Sequence, residues 1–497
     1  MYVIGIDLGT QSMKGLLVNP EGVVVAEASH SHDPSYPNPG WAEQNTADWL
    51  HSFRCIIAEL LEQSAIDPEE IGTIGFDSQV DGAVPVDKDG NVLRNALIWL
   101  DRRAETETKE IGTRISAERV FELTGLNLDS SHVAPKLLWI KNNEPAVFEK
   151  AQNILLPGGY MVRWLTGENC VDYSNASSSM LYNVAGKCWD DEMAKAVGID
   201  PMLMGRIGAA EDIAGTLSPK IAAELGLSPK TKVIIGSGDE HAACVGAGLV
   251  KPNMVCDITG TAEPVAAVAD KPYFDTMGHL VETHAHADQR WWLIENPGFV
   301  SGGSTRWFRD TVVRFDNYDI MNVMAKESPV GSNGIIFLPC MQGAMTPTWN
   351  GNARGTFTGL TLSHTMDDIC RSVFEGIAFG LRDNIDRFEE MGMDCSQVRI
   401  VGGGTKSPLW CQMKADLLGK EMTCTKNPEG AAIGAAMLAS VAEGNFKGLD
   451  EAAEKMVELG DTYTPDPAKK AAYDEAYGRY RACYAAMEPF FDQCYNQ

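Results

Sequence analysis

The chain has 497 residues, 44 % of them hydrophobic and 22 % charged, with a net charge of −27. That length exceeds one ordinary hydrophobic core, so two domains are expected. The acidic surface argues against nucleic acid and anionic membranes as partners, and no apolar run reaches membrane-spanning length.

The first predicted element is a hairpin. An apolar run, Tyr2 to Ile6, ends at Asp7, and Gly9-Thr10-Gln11-Ser12 turns the chain into a second run after Lys14. A glycine in that turn lets backbone N–H groups approach an anion, while Asp7 is suited to a hydrated Mg²⁺ rather than to a phosphate. Next, Thr46 is a candidate N-cap for a helix whose apolar face is Trp49, Phe53, Ile56, Ile57 and Leu60. Ile71 to Phe76 reads as a buried strand that delivers Asp77-Ser78-Gln79-Val80-Asp81-Gly82 to its end, where α/β sheets place ligands. Ala96 to Leu100 reads as a further strand, ending at Trp99 and followed by Arg102 and Arg103.

Residues 104–225 read mostly as helices and loops. Val233 to Ile235 is a strand that runs into Gly238-Asp239-Glu240 and then a small-residue helix, expected to pack closely on the sheet. A carboxylate at such a junction is well placed for chemistry. Met254 to Ile258 then repeats the opening pattern, with Asp257 before the turn Thr259-Gly260-Thr261 and a second apolar run behind it. Two similar halves, each offering a Gly-Thr loop, suit a nucleotide held in a cleft between them. Later come a helix from Asp368 to about Glu390, a strand feeding Gly402-Gly403-Gly404, and a helix capped by Ser407-Pro408. Gly430 to Ala436 reads as a close-packing helix, and the tail beyond Pro465 as an amphipathic one.

These motifs resemble the FGGY family of carbohydrate kinases, most closely its xylulokinase branch, over essentially the whole chain. The resemblance rests on the opening Gly5 to Thr10, on Pro135-Lys136-Leu137-Leu138-Trp139 and on Gly238-Asp239. It rests further on Thr259 to Thr261, Gly402 to Gly404, and Gly355-Thr356-Phe357-Thr358-Gly359-Leu360 with the residues after it. It implies an α/β protein of two actin-like (ribonuclease H-like) domains facing across a deep cleft, 1–245 carrying the sugar site and the base and 246–497 binding the nucleotide, with ATP and Mg²⁺, and phosphorylation of a hydroxyl on a small sugar, most like a ketopentose. By the same resemblance Asp239 is the catalytic base and Asp7 a metal ligand. Asp7, Gly9, Thr10, Gln11, Ser12, Lys14, Thr259, Gly260, Thr261, Gly402, Gly403 and Gly404 face the nucleotide; Gln79, Val80, Asp81, Trp99, Asp239 and Glu240 face the sugar. Chemistry points the same way, because a carboxylate in reach of a hydroxyl can take its proton as the phosphoryl bond forms.

The sequence departs from the xylulokinase pattern in the sugar pocket, where Asp81 and Glu240 stand for a usual His and Asn. Gln79-Val80-Asp81-Gly82 is closer to erythritol kinases, and Arg306-Trp307-Phe308-Arg309-Asp310 is similar to a segment of the autoinducer-2 kinases. A polyol kinase is therefore the alternative. Outside the kinases stand an actin-like ATPase and a sugar-binding regulator that has kept the fold. Asp81 as a turn cap, Glu240 paired with Arg102 or Arg103, and Trp99 as a core residue are open structural readings. His284 and His286 share a strand face, but a zinc site needs further ligands and none is evident nearby in the sequence. The twelve scattered cysteines, with no CxxC pair, fit reduced thiols in the cytoplasm; secretion with disulfides is the alternative that their even number leaves open. A homodimer is also open.

Overall fold

The structure is a computed structural model that describes residues 1–426 and 430–495. Two seven-stranded sheets organise it. In the first, β1 (Tyr2–Leu8) pairs antiparallel with β2 (Ser12–Val18), which pairs antiparallel with β3 (Val24–Ser31). On its other side β1 runs parallel to β4 (Ile71–Ser78). β5 (Ile213–Thr216) and β6 (Lys232–Ile234) complete that edge, β6 parallel to β4 and antiparallel to β5. The short strand Ser237–Gly238 pairs with the end of β4.

The second sheet repeats the plan. β7 (Met254–Thr259) pairs antiparallel with β8 (Val265–Ala269) and parallel with β11 (Gln397–Gly402). β9 (Glu282–Ala285) and β10 (Trp292–Asn296) extend the antiparallel side, while β12 (Met422–Thr425) and β13 (Leu459–Tyr463) extend the other. Strand directions match across the two sheets from β3 to β5 and from β10 to β13. The duplication expected from the two hairpins is thus a duplication of a whole sheet.

Why these segments form central strands is plain from burial. Val3, Ile4, Ile6 and Leu8 are wholly buried, as a strand covered on both faces requires. Helix α1 (Thr46–Ser64) covers one face with Trp49, Phe53, Ile56 and Leu60. Its N-cap is Asn45 rather than Thr46, because the Asn45 amide oxygen accepts from Ala47 N–H at 3.1 Å. The other face is covered by α5 (Gly430–Glu443), a helix from the far end of the sequence. A Cβ on Gly5 would lie 2.5 Å from Ala432 O, so only glycine lets that helix sit so close.

The small-residue helix α2 (Asp239–Gly246) does not use its small residues against the sheet as expected. It meets α5 instead: a Cβ on Gly434 would lie 1.9 Å from Ala242 O, and one on Gly246 would lie 1.9 Å from Gly430 O. Helix α3 (Met366–Glu390) begins two residues before the expected Asp368, behind a Thr365–Asp368 capping box. α4 (Pro408–Leu418) is capped by Ser407, as expected. The tail forms α6 (Lys470–Tyr495), which buries Tyr473, Tyr477, Tyr480 and Tyr484. The expected strand Ala96 to Leu100 is shorter, Ala96–Leu97, and turns outward at Trp99. All twelve cysteines are free thiols, and no helix among the described residues is long and apolar enough to cross a membrane.

Candidate active site

Three carboxylates meet at the ends of adjacent strands of the first sheet. The register sets Asp7 beside Asp77 and Asp77 beside Ser237, two residues before Asp239. Lys14 sits directly across from Asp7 on β2. Asp77 is fully buried, and neither of its carboxylate oxygens accepts a hydrogen bond from a donor. Burial, with Asp7 and then Asp239 nearby, holds the Asp77 carboxyl well above the usual carboxylate range. Asp239 is raised to about 8 by burial first and by Asp7 second. The sequence delivers Asp77 to the end of a buried strand without giving it a role; strand register supplies its neighbour, Asp7.

The residues expected to face a sugar lie beside this cluster. Gln79 follows the end of β4; its amide N–H donates to Leu8 O at 2.9 Å and its side chain donates to Gln44 at 2.7 Å. Its own amide oxygen is buried without a partner. Val80 packs on Gly238, where a Cβ would come within 2.7 Å of it. Asp81 adopts a left-handed backbone, φ +57°, an uncommon state for a non-glycine residue that its surroundings must hold in place. Those surroundings are Lys136, whose buried ammonium donates to Asp81 O at 2.7 Å, and His132, 3.2 Å from Asp81 Oδ2. Burial lowers Lys136 to about 8. The turn-cap reading of Asp81 therefore does not describe its side chain, which pairs with His132.

Trp99 is not a core residue. It is 43 % exposed, and its indole N–H donates to Thr10 Oγ1 at 2.9 Å, tying this wall to the first Gly-Thr loop. The turn behind it is held by Arg103, stacked 3.7 Å from the Trp41 ring and 4.8 Å from that of Trp139 while it pairs with Asp101 and Glu43. Glu240 makes no pair with Arg102 or Arg103; Arg102 pairs with Asp129. Instead the Glu240 carboxyl meets Glu295 on β10, across to the second sheet. Burial and that neighbour push Glu240 well above the usual range, and burial raises Glu295 to about 7.

On the second sheet, a cavity of about 580 Å³ opens between Thr259-Gly260-Thr261 and Gly403-Gly404, with Arg306, Asn322, Tyr318 and Trp410 on its walls. That volume suits a nucleoside. Gly402 does not line it; at φ +87°, with a Cβ that would lie 2.5 Å from Thr259 O, it turns the chain instead. The loop amides are partly spent inside the loops: Gly9 N–H donates to Ser12 O, Gly260 N–H to Ala262 O and Gly404 N–H to Thr259 Oγ1. These glycines therefore leave space more than they donate. Asp257, the carboxylate of the second hairpin, takes a different role from Asp7. It is wholly buried and lies 2.7 Å from Lys414, which also meets Glu263 at 2.9 Å.

Residues 2–246 match the N-terminal domain of the FGGY family of carbohydrate kinases, and residues 257–443 match its C-terminal domain. The chain belongs to the FGGY family of carbohydrate kinases. It is 32 % identical to a xylulose kinase of Escherichia coli K12 over 491 residues, covering 98 % of this chain and 99 % of that one. It shares 28 % with a gluconokinase of Bacillus subtilis, over 95 % of this chain and 93 % of that one. The crystal structure of a xylulose kinase from Rhodospirillum rubrum superposes with a TM-score of 0.93 at 29 % identity, covering 99 % of this chain and all of that one. As an FGGY kinase the protein has the two-domain actin-like fold and transfers a phosphoryl group from ATP to an alcohol group of a small sugar. Sequence reasoning missed His132, Glu282 and Glu295 and gave Asp77 no role; their places come from strand register or from a partner distant in sequence.

Proposed function

We propose that this FGGY kinase phosphorylates a small ketose of the xylulose type, with Asp239 as the base. The observation that carries the proposal is the position of Asp239. It opens α2 with the Asp7–Asp77 pair on one side and the Gln79 to Asp81 wall on the other. A carboxyl raised to about 8 binds a proton strongly enough to accept one from a sugar hydroxyl. Trp99, tied to Thr10, closes the sugar against the phosphate loop.

Mg²⁺ fits this site. Asp77 offers two buried oxygens without donors, next to the Asp7 carboxylate, and hard oxygen ligands are what Mg²⁺ takes. Asp7 and Asp77 would hold it. Bound there, the ion would neutralise charge that develops on the transferred phosphoryl. The chain's own part is to hold the hydroxyl against Asp239 and to keep water out of the cleft. Free thiols throughout fit the reducing cytoplasm.

A polyol is the second reading, because Asp81 Oδ1 and Glu240 Oε1 are buried acceptors without donors. Such oxygens discriminate against a ligand that lacks the matching hydroxyl. Measuring ATP consumption against pentuloses, tetritols, pentitols, hexuloses and gluconate tests both readings. Turnover highest on a ketopentose supports the first, and turnover highest on a tetritol or pentitol supports the second. Turnover on none of them, with ATP still hydrolysed, would overturn both. The double substitution Asp81→His with Glu240→Asn should move the kcat/KM ratio towards D-xylulose by about one to two decades per lost hydrogen bond. Equal loss on every sugar would show the pair to be structural.

A further inference from the structure

Behind the proposed sugar pocket lies a second cluster of charged groups that phosphoryl transfer does not use. β9 and β10 set Glu282 directly opposite Glu295, and His284, two residues on from Glu282, shares their face. Like charges placed opposite each other on neighbouring strands are unfavourable unless something stands between them. All three side chains are buried. His284 Nε2 lies 3.2 Å from Glu295 Oε1 and 3.9 Å from Glu282 Oε2, and one ligand atom from each residue falls within 4.8 Å of the others. His284 Nε2, Glu295 Oε2 and Glu240 Oε1 make no hydrogen bond.

We propose that Glu282, His284 and Glu295 bind one divalent transition-metal ion. Bonds of about 2.0–2.2 Å from nitrogen and oxygen to such an ion put neighbouring donor atoms roughly 3–4 Å apart, the spacing seen here. Glu282 is already oriented for it: the Asn127 backbone N–H and side-chain amide both donate to its other oxygen, at 3.2 and 3.3 Å. Second partners of this kind aim metal ligands. The imidazole selects against Mg²⁺ and Ca²⁺, which prefer oxygen alone, and in favour of a zinc-type ion. His286, whose Nδ1 accepts from Asp288 N–H at 2.9 Å, lies outside the group of three. The partner that the sequence around His284 does not reveal, Glu295, comes from the strand across. An ion here joins β9 to β10 of the second half, beside Glu240 at the start of α2. The site stands whether or not the proposed sugar is correct.

The test is direct metal binding by the untagged full chain after chelation. Titrated with Co²⁺, it should bind about one equivalent and show the visible absorption of a cobalt–imidazole–carboxylate site. His284→Ala and Glu295→Gln should each lose that absorption and weaken binding by at least about tenfold. Asp7→Asn, which removes the proposed Mg²⁺ ligand, should keep it. Co²⁺ should also raise the melting temperature of the unaltered chain, a readout that needs no variant to fold. No bound Co²⁺, binding that survives in both variants, or binding lost in Asp7→Asn would each overturn the assignment.

Discussion

At the scale of single residues, environment decides what each carboxyl can do. Asp239 and Asp257 both follow apolar strands, yet one faces a cluster of acids and the other a buried lysine. Asp239→Asn should lower kcat by at least about two decades while ATP binding is kept, the size expected for removing a general base. Steady-state kinetics beside nucleotide titration would show it, and near-normal turnover would take Asp239 out of the role. Asp7→Ala and Asp77→Asn should both raise the Mg²⁺ concentration needed for half-maximal rate and leave the sugar KM nearly unchanged. If only Asp7→Ala does so, Asp77 is a structural acid. His132 gives a prediction about pH. Burial, the largest single influence, works against its imidazolium, but Asp81, Glu282 and Asp129 together outweigh it and lift its pKa to about 9. The folded value lies above the ordinary 6.5, so the pair stabilises the fold below about pH 6.5 and that contribution is lost as pH rises through about 9. Melting curves should therefore separate the unaltered chain from His132→Asn at pH 6 and bring them together towards pH 10; a constant gap would deny the ion pair its role.

At the scale of elements, the Asp239 carboxyl, proposed as the base, depends on a helix contact made far away in sequence. α2 begins at Asp239, and its backbone rests on Gly434 of α5. Gly434→Ala would force the two helices apart, at a cost of about 1–3 kcal/mol, and would shift the start of α2. Denaturant unfolding should show the lost stability, and kcat should fall with it. Gly478→Ala in the exposed face of α6 meets nothing within 4 Å and should instead stabilise by about 0.5–1 kcal/mol. Equal behaviour of the two variants would refute the packing argument. The hairpins and the capped helices were legible because period-two runs, glycine turns and Ser-Pro caps act over a few residues. The strand expected through Trp99 was not, because the Arg103 stack between Trp41 and Trp139 and the Trp99–Thr10 bond that turn it outward reach tens of residues away.

At the scale of the whole molecule, the two sheets divide the work: acids and the expected sugar wall on one, the nucleotide-sized cavity on the other. Sugar and ATP together should therefore draw the halves closer than either alone, as cleft closure does in enzymes that must exclude water. Small-angle scattering would measure this as a lower radius of gyration, and an unchanged radius with both ligands would mean the cleft needs no closing. By itself the sequence determined the repeated hairpin, the position of Asp239 between a strand and a helix, and the family, because each is written in neighbouring residues. Tertiary structure alone decided that Asp77 joins Asp7, that Glu240 meets Glu295 instead of an arginine, and that α5 supports the first sheet. Those are contacts between residues about 50 to 400 positions apart, which strand register and chain return create, and no local pattern of residues encodes which distant partner a buried group will find.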